Sequence, residues 1–346
     1  MLTAKAYAAT AADAPLVPTT IERRDVGPHD VLIAIRYAGI CHSDIHTVRG
    51  EWGPIAYPQV VGHEIVGEVI EVGSSVTKHA VGDRVGVGCM VNSCGECDEC
   101  LDGEEHMCER GNTGTYASVD RDGTITQGGY STHVVVNENF VLRVPKEIPY
   151  EQVAPLLCAG ITTYSPLKTW GVGPGKKVAV VGLGGLGHMA VKFAVAMGAE
   201  VTVLSRTDAK KSDSLAFGAV NHVATAEEGA LESLKRSFDV VLNTISAPFN
   251  VDAYLRTLRP HGALVNVGLP PEALSIRVGS VIGGRKSFSG SNIGSIKETQ
   301  EMLDFCAEHG IASEIELISA DQINEAYDRV VAGDVRYRFV IDTETL

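Results

Sequence analysis

A glycine-rich segment between a strand pattern and a helix pattern is the strongest constraint on the fold of this chain. Residues Lys177–Val181 have the apolar pattern of a buried strand, and His188–Met197 is apolar at helical spacing. Between them runs Gly182-Leu183-Gly184-Gly185-Leu186-Gly187. A G-x-G-x-x-G sequence is a weak signal alone, but between a strand and a helix it indicates a dinucleotide-binding unit. The sequence therefore predicts a doubly wound parallel sheet that binds a dinucleotide cofactor.

Each residue of that turn has an expected role. We expect Gly182 to form the turn, Gly184 to let the pyrophosphate approach, and Gly187 to allow close helix packing. Gly185 and Leu186 open the helix, whose N-terminus then faces the negative charge of the phosphates. These residues form the predicted phosphate-binding part of the cofactor site.

The end of the next predicted strand, Val201–Leu204, indicates which dinucleotide binds. NAD enzymes usually place a carboxylate there, whereas this chain has Ser205, followed by Arg206 and Lys210. A hydroxyl and two cations favour a 2′-phosphate, and Arg206 can also stack on adenine. Asp208 argues mildly against this, but it lies beyond the strand end. The alternative is that Arg206 and Lys210 are ordinary charged residues at the start of a helix and bind no phosphate. We predict that the cofactor is NADP(H).

Length and pattern predict two domains, because 346 residues exceed what one core usually supports. The N-terminal part contains short strand patterns separated by turn residues, at Val31–Tyr37, Glu64–Val72, Arg84–Val87 and His133–Val136. Beyond about residue 150, strands alternate with helices, with patterns at Val201–Leu204, Asp208–Phe217, Val220–Ala224, Asp239–Leu242 and Ala263–Val267. We predict a β-barrel-like domain over 1–151 and 300–346, and a cofactor domain over 152–299.

The C-terminal tail is assigned to the first domain. A helix is predicted at Thr299–Glu308 and a strand at Tyr337–Ile341, and we expect both to return to the β-barrel-like domain.

Charge and composition exclude several classes of protein. The net charge of −14, without a local basic cluster, argues against nucleic acid as a partner. The chain has no apolar stretch of roughly 18 residues, so no membrane span is expected. Met1–Thr10 lacks the pattern of a signal peptide, so we expect a cytoplasmic protein with reduced cysteines.

Cysteine spacing gives the strongest local signal. Five of the eight cysteines lie between Cys89 and Cys108, and the run is Cys94-x2-Cys97-x2-Cys100-x7-Cys108. Four thiolates form a closed shell around a structural zinc ion. Disulfides conflict with the expected reducing compartment, and the spacing departs from a ferredoxin iron–sulfur run. We predict a structural zinc, with His106 as a less favoured competitor of Cys108.

A second set of metal-ligand residues is dispersed along the chain. Cys41-His42-Ser43-Asp44-Ile45-His46 follows an apolar strand, Gly62-His63-Glu64 comes shortly afterwards, and Cys158 lies in a later apolar segment. Each segment is weak when taken singly, because a lone cysteine is usually a small core residue. The His-Glu-x-x-His protease pattern also fails, since Gly67 stands at the position of the second histidine.

Together these segments resemble the medium-chain zinc alcohol dehydrogenases, over essentially the whole chain and in that family's order. The resemblance is closest to the cinnamyl alcohol dehydrogenases and their bacterial relatives, on Glu51–Gly53, Gly123–Ser131, Cys158–Thr162 and Asp334–Val340. It implies a GroES-like catalytic domain joined to a Rossmann cofactor domain, with Thr162 among the cofactor-binding residues.

The resemblance also implies a catalytic zinc. Cys41, His63 and Cys158 would hold the ion, and its fourth position would stay open for substrate. Glu64 corresponds to the family's nearby carboxylate, which can approach the metal when water leaves. Asp44 would orient His63 by contacting the ring nitrogen that does not bind zinc. The chain would then carry two zinc ions.

A proton path follows from the same resemblance. Ser43 would accept the proton of the alcohol and pass it through the nicotinamide ribose hydroxyl to His46. A hydroxyl can donate and accept at once, and the pKa of histidine lies near neutrality. The alternative is an ordinary serine turn with a surface histidine.

Substrate and assembly are the least constrained expectations. By resemblance, the substrate pocket is lined by Trp52, Cys89, Thr113, Asn292 and Ile293. Lignin-pathway enzymes commonly carry an aromatic residue at the place of Thr113, which argues against strict phenylpropanoid specificity. Trp52, unless it is an ordinary loop aromatic, favours a flat or elongated aldehyde such as cinnamaldehyde, benzaldehyde or a medium-chain aldehyde. A homodimer through Val278–Gly290 is also implied.

Two other classes of protein share this fold. A zinc-free quinone reductase would lack counterparts of the catalytic zinc ligands and of the cysteine lobe, so the sequence disfavours it. A non-catalytic cofactor sensor would have no need of a proton exit through Ser43 and His46. The sequence therefore favours an NADP-linked alcohol dehydrogenase that works chiefly as an aldehyde reductase.

Overall fold

The computed structural model describes all 346 residues and divides into two compact units. The first unit comprises Met1–Cys158 and Gly294–Leu346, and the second comprises Ala159–Ile293. None of the helices combines the length and the apolar character that a membrane crossing requires.

Seventeen strands make up the sheets of the two units. In chain order, β1 to β17 are Leu2–Ala8, Val17–Arg23, Asp30–Gly39, Ile65–Val72, Arg84–Val87, Met90–Asn92, Thr113–Gly114, His133–Asn137, Leu142–Arg143, Lys177–Val181, Glu200–Ser205, Asn221–Ala224, Phe238–Asn243, Leu258–Asn266, Ser287–Gly290, Ile315–Ile318 and Arg338–Asp342.

Eleven α-helices accompany them, with short 3₁₀ turns between. In chain order, α1 to α11 are His42–Val48, Asp98–Leu101, Tyr150–Val153, Ala159–Thr169, Gly185–Ala196, Lys211–Ala216, Ala230–Ser233, Val251–Thr257, Val278–Ile282, Ile296–His309 and Ile323–Ala332.

The first unit is built on a seven-stranded sheet with β3 at its centre. The order is β16-β17-β3-β4-β5-β9, and β8 also pairs with β3. Strand β3 runs antiparallel to β4, β8 and β17. The C-terminal tail therefore supplies a strand of this sheet. Strand β3 ends at Gly39, so the sheet delivers the chain directly to Cys41 and helix α1.

The second unit is the doubly wound sheet that the sequence predicts. Its six strands are all parallel, in the order β12-β11-β10-β13-β14-β15. The glycine-rich turn connects β10 to α5, and Gly182 adopts a φ of +89° that favours glycine. A Cβ at Gly187 would lie 2.1 Å from the Gly182 carbonyl oxygen, so only glycine allows this helix–turn packing.

Most elements with a clear periodic pattern are confirmed. All the predicted strands are present within a few residues, and so are the helices at α5 and α10. The predicted helix Asp208–Phe217 begins as a 3₁₀ turn at Asp208–Lys210 before α6. Helices α4 and α11 and the hairpin of β1 and β2 are additional. Helix α4 is buried along most of its length. Its sequence therefore lacks the alternation of polar and apolar faces by which a surface helix is predicted.

One buried arginine holds the loop that carries Tyr130. Arg23, at the end of β2, is only 8% exposed. Its guanidinium donates to the carbonyl oxygens of Gln127, Gly128 and His133 at 2.7–2.8 Å, and to the Ser131 hydroxyl at 2.8 Å. Burial lowers the pKa of Arg23 to about 10. The planar five-donor fork therefore satisfies several acceptors that would otherwise be buried without partners.

Replacing Arg23 with lysine should destabilise the first unit. The Arg23→Lys variant keeps the charge but cannot reach all four acceptors, so the free energy of unfolding should fall by about 2 kcal/mol. The matched control is Arg110→Lys at an exposed ion pair with Glu96, expected within about 0.5 kcal/mol of the parent. Denaturant unfolding measures both, and equal midpoints for the two variants would contradict the role of Arg23.

Candidate functional site

The four lobe cysteines converge to one point. The sulfurs of Cys94 and Cys100 lie 3.8 Å apart, and those of Cys97 and Cys108 lie 4.0 Å apart. Both distances are about twice the length of a disulfide bond. They match the edge of about 3.8 Å expected for four thiolates around zinc. The donor set therefore fits a zinc ion with a closed shell.

Local backbone geometry shapes this lobe. Gly95 and Gly103 adopt positive φ values of +73° and +81°, which let a short loop wrap tightly. Backbone amides of Glu96 and Cys97 lower the pKa of the Cys94 thiol to about 6. The lobe thus favours a thiolate even before a cation contributes. His106 does not join the four sulfurs, and clusters with two glutamates instead.

Cys41, His63 and Cys158 form a second buried cluster. The two sulfurs lie 3.9 Å apart, and the three residues are between 5% and 9% exposed. Nε2 of His63 is buried without a hydrogen-bond partner. One donor atom from each residue, and one from Glu64, lie within 4.8 Å of one another. Two thiols and an unpartnered imidazole nitrogen fit a zinc ion.

Asp44 holds two of these residues in place. Its carboxylate is fully buried and accepts from the Cys41 amide at 2.8 Å, the Gly62 amide at 3.2 Å and the Tyr130 hydroxyl at 3.0 Å. It also lies 3.1 Å from Nδ1 of His63. Because Nδ1 faces Asp44, Nε2 is left to face the thiols.

The electrostatics of His63 reflect the same neighbours. Burial disfavours the charged imidazole, but the negative charges of the Cys89 thiolate and the Asp44 carboxylate outweigh this effect and raise the pKa of His63 well above its usual value. In the opposite sense, a hydrogen bond from Cys158 lowers the pKa of Cys41 well below its usual value. The pocket therefore favours a thiolate beside a positive charge.

Glu64 is fully buried and forms an ion pair with Arg338. Arg338 also donates to the Ile40 carbonyl at 2.8 Å. Burial raises the pKa of Glu64 to about 7, because Arg338 offsets the loss of hydration only in part. The second carboxylate oxygen of Glu64 has no hydrogen-bond partner, and a Cβ at Gly39 would lie 2.0 Å from it. Glycine at 39 therefore leaves the space that this carboxylate fills.

Ser43 and His46 lie one turn apart on α1 and share a face. The Ser43 hydroxyl is 3.6 Å from the Cys41 sulfur. Nδ1 of His46 contacts the Glu51 carboxylate, and the His46 ring stacks on Trp52 with centroids 5.0 Å apart. This arrangement puts a hydroxyl beside the buried cluster and a histidine nearer the surface.

The predicted pocket residues fall in both units. Cys89 lies beside Cys158, whose hydrogen bond lowers the pKa of the Cys89 thiol. Trp52 is 51% exposed, whereas Thr113 is 3% exposed on β7. In the second unit, Asn292 is exposed, and Ile293 is half-buried with a φ of +39°.

The glycine-rich turn fits a dinucleotide. A Cβ at Gly184 would meet no atom within 4 Å, so this side of the turn is open. The following residues, Gly185 and Leu186, begin α5 and present its N-terminus there. Nζ of Lys210 donates to the Leu183 carbonyl at 3.0 Å, which brings a cation against the turn. Thr162 is buried on α4.

Asp208 is the acidic residue that follows β11, and its carboxylate lies near His222 and Lys211. Ser205 ends the strand half-buried, and Arg206 is exposed. The carboxylate of Asp208 lies 3.8 Å from Nε2 of His222 and 3.9 Å from Nζ of Lys211. Because β11 ends at Ser205, Asp208 lies beyond the position at which NAD enzymes put a carboxylate.

Comparison with known proteins agrees with this geometry. Residues 27–146 match the alcohol dehydrogenase GroES-like domain, and residues 185–308 match the zinc-binding dehydrogenase family. The chain is 59% identical to NADP-dependent alcohol dehydrogenase C 1 of Mycolicibacterium smegmatis, covering 100% of this chain and 99% of that protein. The chain belongs to the medium-chain zinc alcohol dehydrogenases.

Within that family the chain is of the cinnamyl alcohol dehydrogenase type, as the sequence segments predict. Aldehyde reductase YahK of Escherichia coli is 53% identical over 99% of both chains. The cinnamyl alcohol dehydrogenase structure from Sorghum bicolor has a TM-score of 0.96 at 42% identity, covering 99% of this chain and 98% of that one. The Helicobacter pylori enzyme complexed with NADP(H) has a TM-score of 0.93 at 46% identity, covering 99% of each chain.

Four residues around the cluster of Cys41, His63 and Cys158 are not assigned by the sequence analysis. Arg338 pairs with Glu64, and Tyr116 lies 3.1 Å from Nδ1 of His63. Tyr130 and Tyr327 form a chain of hydroxyls that leads to Asp44. Arg338 had a usable signal, because an arginine beside the buried run Phe339–Ile341 needs a buried partner.

Removing the charge of Asp44 should weaken the binding of zinc by Cys41, His63 and Cys158. In Asp44→Asn, an amide NH₂ replaces an oxygen that accepts from backbone and tyrosine donors, so zinc affinity at this cluster should fall about 10- to 100-fold. Tyr327→Phe is the control, because Tyr327 reaches Asp44 only through Tyr130 and should change affinity less than about threefold. Competition with a chromogenic chelator measures both, and unchanged affinity in Asp44→Asn would contradict the inferred support.

Proposed function

We propose that this protein is a zinc-dependent, NADP(H)-linked alcohol dehydrogenase and aldehyde reductase that acts on primary alcohols and aldehydes. The observation that carries the proposal is the buried convergence of Cys41, His63 and Cys158 beside Glu64. The relatives named as an NADP-dependent alcohol dehydrogenase and an aldehyde reductase, at 59% and 53% identity, support the same activity.

In this proposal the chain carries two zinc ions with different tasks. Cys94, Cys97, Cys100 and Cys108 hold a structural ion. Cys41, His63 and Cys158 hold a catalytic ion with an open position. A zinc ion there would polarise an aldehyde carbonyl and lower the pKa of an alcohol. Glu64 stays close to the three ligands and is kept in position by Arg338.

In this proposal Ser43 and His46 transfer the proton of the alcohol between the cluster and the solvent. Ser43 holds a proton at Oγ, next to the cluster, because a hydroxyl both donates and accepts. His46 exchanges the proton nearer the solvent, and the contact of Nδ1 with Glu51 keeps the imidazole oriented. The stacked indole of Trp52 covers one face of that ring. Aldehyde reduction is the proposed working direction.

Cofactor choice rests on the end of β11. Ser205 and Arg206 provide a hydroxyl and a cation where a ribose 2′-phosphate would bind, and Lys210 adds a second cation near the glycine-rich turn. Asp208 lies three residues beyond the end of β11, so no carboxylate stands at the position where it would oppose a phosphate. Gly182, Gly184 and Gly187 supply the turn.

The proposed substrates are aromatic or medium-chain aldehydes. Trp52 offers a broad apolar face, and Cys89 and Thr113 would line the pocket from the same unit. The threonine at 113 is smaller than an aromatic residue, which favours a range of aldehydes over one phenylpropanoid.

We further propose a cytoplasmic homodimer formed through Val278–Gly290. Strand β15 lies at the edge of the parallel sheet, and an unpaired edge is a template for another strand. Val278 and Ile282 on the neighbouring helix are 68% and 71% exposed, and their spacing of four residues puts both on one face of that helix. If two such edges paired in a dimer, they would cover both the free edge of β15 and the exposed side chains of Val278 and Ile282.

Parallel assays with NADPH and NADH test the activity and the cofactor assignment. With zinc-replete protein and cinnamaldehyde as acceptor, kcat/KM should be at least roughly tenfold higher with NADPH, about 1.4 kcal/mol in transition-state terms. Arg206→Ser should remove most of that preference through KM for NADPH, whereas Lys235→Ser, which removes an exposed cation elsewhere in the unit, should not. A preference for NADH would contradict the phosphate-site assignment and leave the dehydrogenase activity intact.

Zinc content tests the two-ion assignment separately. After dialysis against a weak chelator, we expect two zinc ions per chain, and one in an inactive Cys158→Ser variant. Cys306→Ser is the matched control, because Cys306 is a buried cysteine outside both clusters and its loss should leave both ions. A parent protein with one ion would support a degenerate cofactor-binding protein, and one with none would support the zinc-free reductase.

A further inference from the structure

A third group of metal-ligand side chains lies apart from the two zinc clusters. Glu104 and His106 belong to the end of the cysteine lobe, and Glu298 lies in the first turn of α10. One donor atom from each lies within 4.8 Å of the others. The group therefore joins two segments of the first unit that are nearly 200 residues apart in sequence.

The histidine of this group is buried and its ring nitrogen lacks a partner. The His106 side chain is only 4% exposed, and Nδ1 forms no hydrogen bond. Its nearest carboxylate oxygen, Oε2 of Glu104, is 3.5 Å away, which is longer than a good hydrogen bond. A buried ring nitrogen without a partner is costly, so the arrangement calls for a further group between Nδ1 and the carboxylates.

The geometry and charge suit a cation. Zinc bonds to imidazole nitrogen and carboxylate oxygen are about 2.0–2.2 Å long, so neighbouring ligands of a tetrahedral ion lie about 3.4 Å apart. The Nδ1–Oε2 separation of 3.5 Å is close to that value. Two carboxylates and one neutral imidazole also balance the charge of a divalent ion. Borderline transition metals accept this mixed nitrogen and oxygen donor set.

We propose that Glu104, His106 and Glu298 form a third metal site, which takes a divalent transition-metal ion such as zinc. The ion would tie the lobe to the N-terminus of α10, where the backbone is already joined by a contact of 3.4 Å between the Ile296 amide and the Glu105 carboxylate. With three protein ligands the site would keep positions for water. It is distinct from the four-cysteine shell, in which sulfur supplies every ligand.

Titration of the holoenzyme tests the site. Protein that already holds its tightly bound zinc is titrated with Zn²⁺ by calorimetry, and one additional ion per chain should bind. His106→Gln and Glu298→Gln should each weaken that binding at least about tenfold. Glutamine at 298 can still cap the helix, so the fold should survive. Glu308→Gln, which removes a carboxylate at the other end of α10, is the matched control and should bind like the parent.

A second probe separates this site from exchange at the cysteine clusters. Cobalt(II) added to the zinc-loaded protein should give a spectrum without thiolate charge-transfer absorption, and the signal should be absent in His106→Gln. Zinc should also raise the Tm of the parent but not that of His106→Gln. The proposal is overturned if no further ion binds at millimolar zinc, or if the additional ion binds His106→Gln as tightly as the parent.

Discussion

The carboxylate of Asp44 accepts hydrogen bonds from three different parts of the first unit. One oxygen takes the Cys41 amide at the start of α1, and the other takes the Gly62 amide next to His63. Tyr130 brings in a third segment. Without this buried anion, the helix start that carries Cys41 and the loop that carries His63 would lose the hydrogen-bond acceptor that they share. The cluster of Cys41, His63 and Cys158 therefore depends on a residue outside it.

The ion pair of Glu64 and Arg338 explains why the C-terminal tail is required in the first unit. Arg338 lies at the start of β17, which pairs with the end of β3, and it reaches both Glu64 and the Ile40 carbonyl. A buried glutamate without a cation would be protonated or would destabilise the fold. The last strand therefore supplies the countercharge for a carboxylate that lies 274 residues earlier in the chain.

The sequence predicts features that depend on local chemistry and misses those that depend on tertiary partners. Three features can be predicted from residue spacing, because that spacing follows directly from backbone geometry. They are the glycine turn at 182–187, the parallel strands and the four-cysteine lobe. Family resemblance was needed to connect Cys41 with Cys158, since nothing in local spacing joins them. The hydroxyl chain that runs from Tyr327 through Tyr130 begins on α11. That helix has an apolar stripe at helical spacing, which is a periodic signal in the sequence: Ile323, Ala326, Tyr327 and Val330.

The two cysteine-containing clusters differ in how much of the fold each one needs. The lobe ligands Cys94 to Cys108 lie within one short loop, so closing that shell costs little chain entropy and an ion can order it locally. The cluster of Cys41, His63 and Cys158 gathers donors across most of the first unit, so it forms only when β3, β4 and the turn before α4 are already in place. Because its donors come from separate parts of the unit, this cluster combines two thiols, an imidazole and the carboxylate of Glu64, which pairs with Arg338. The lobe instead supplies four sulfurs from one short segment, a closed donor set that suits an ion which stabilises structure and takes no substrate.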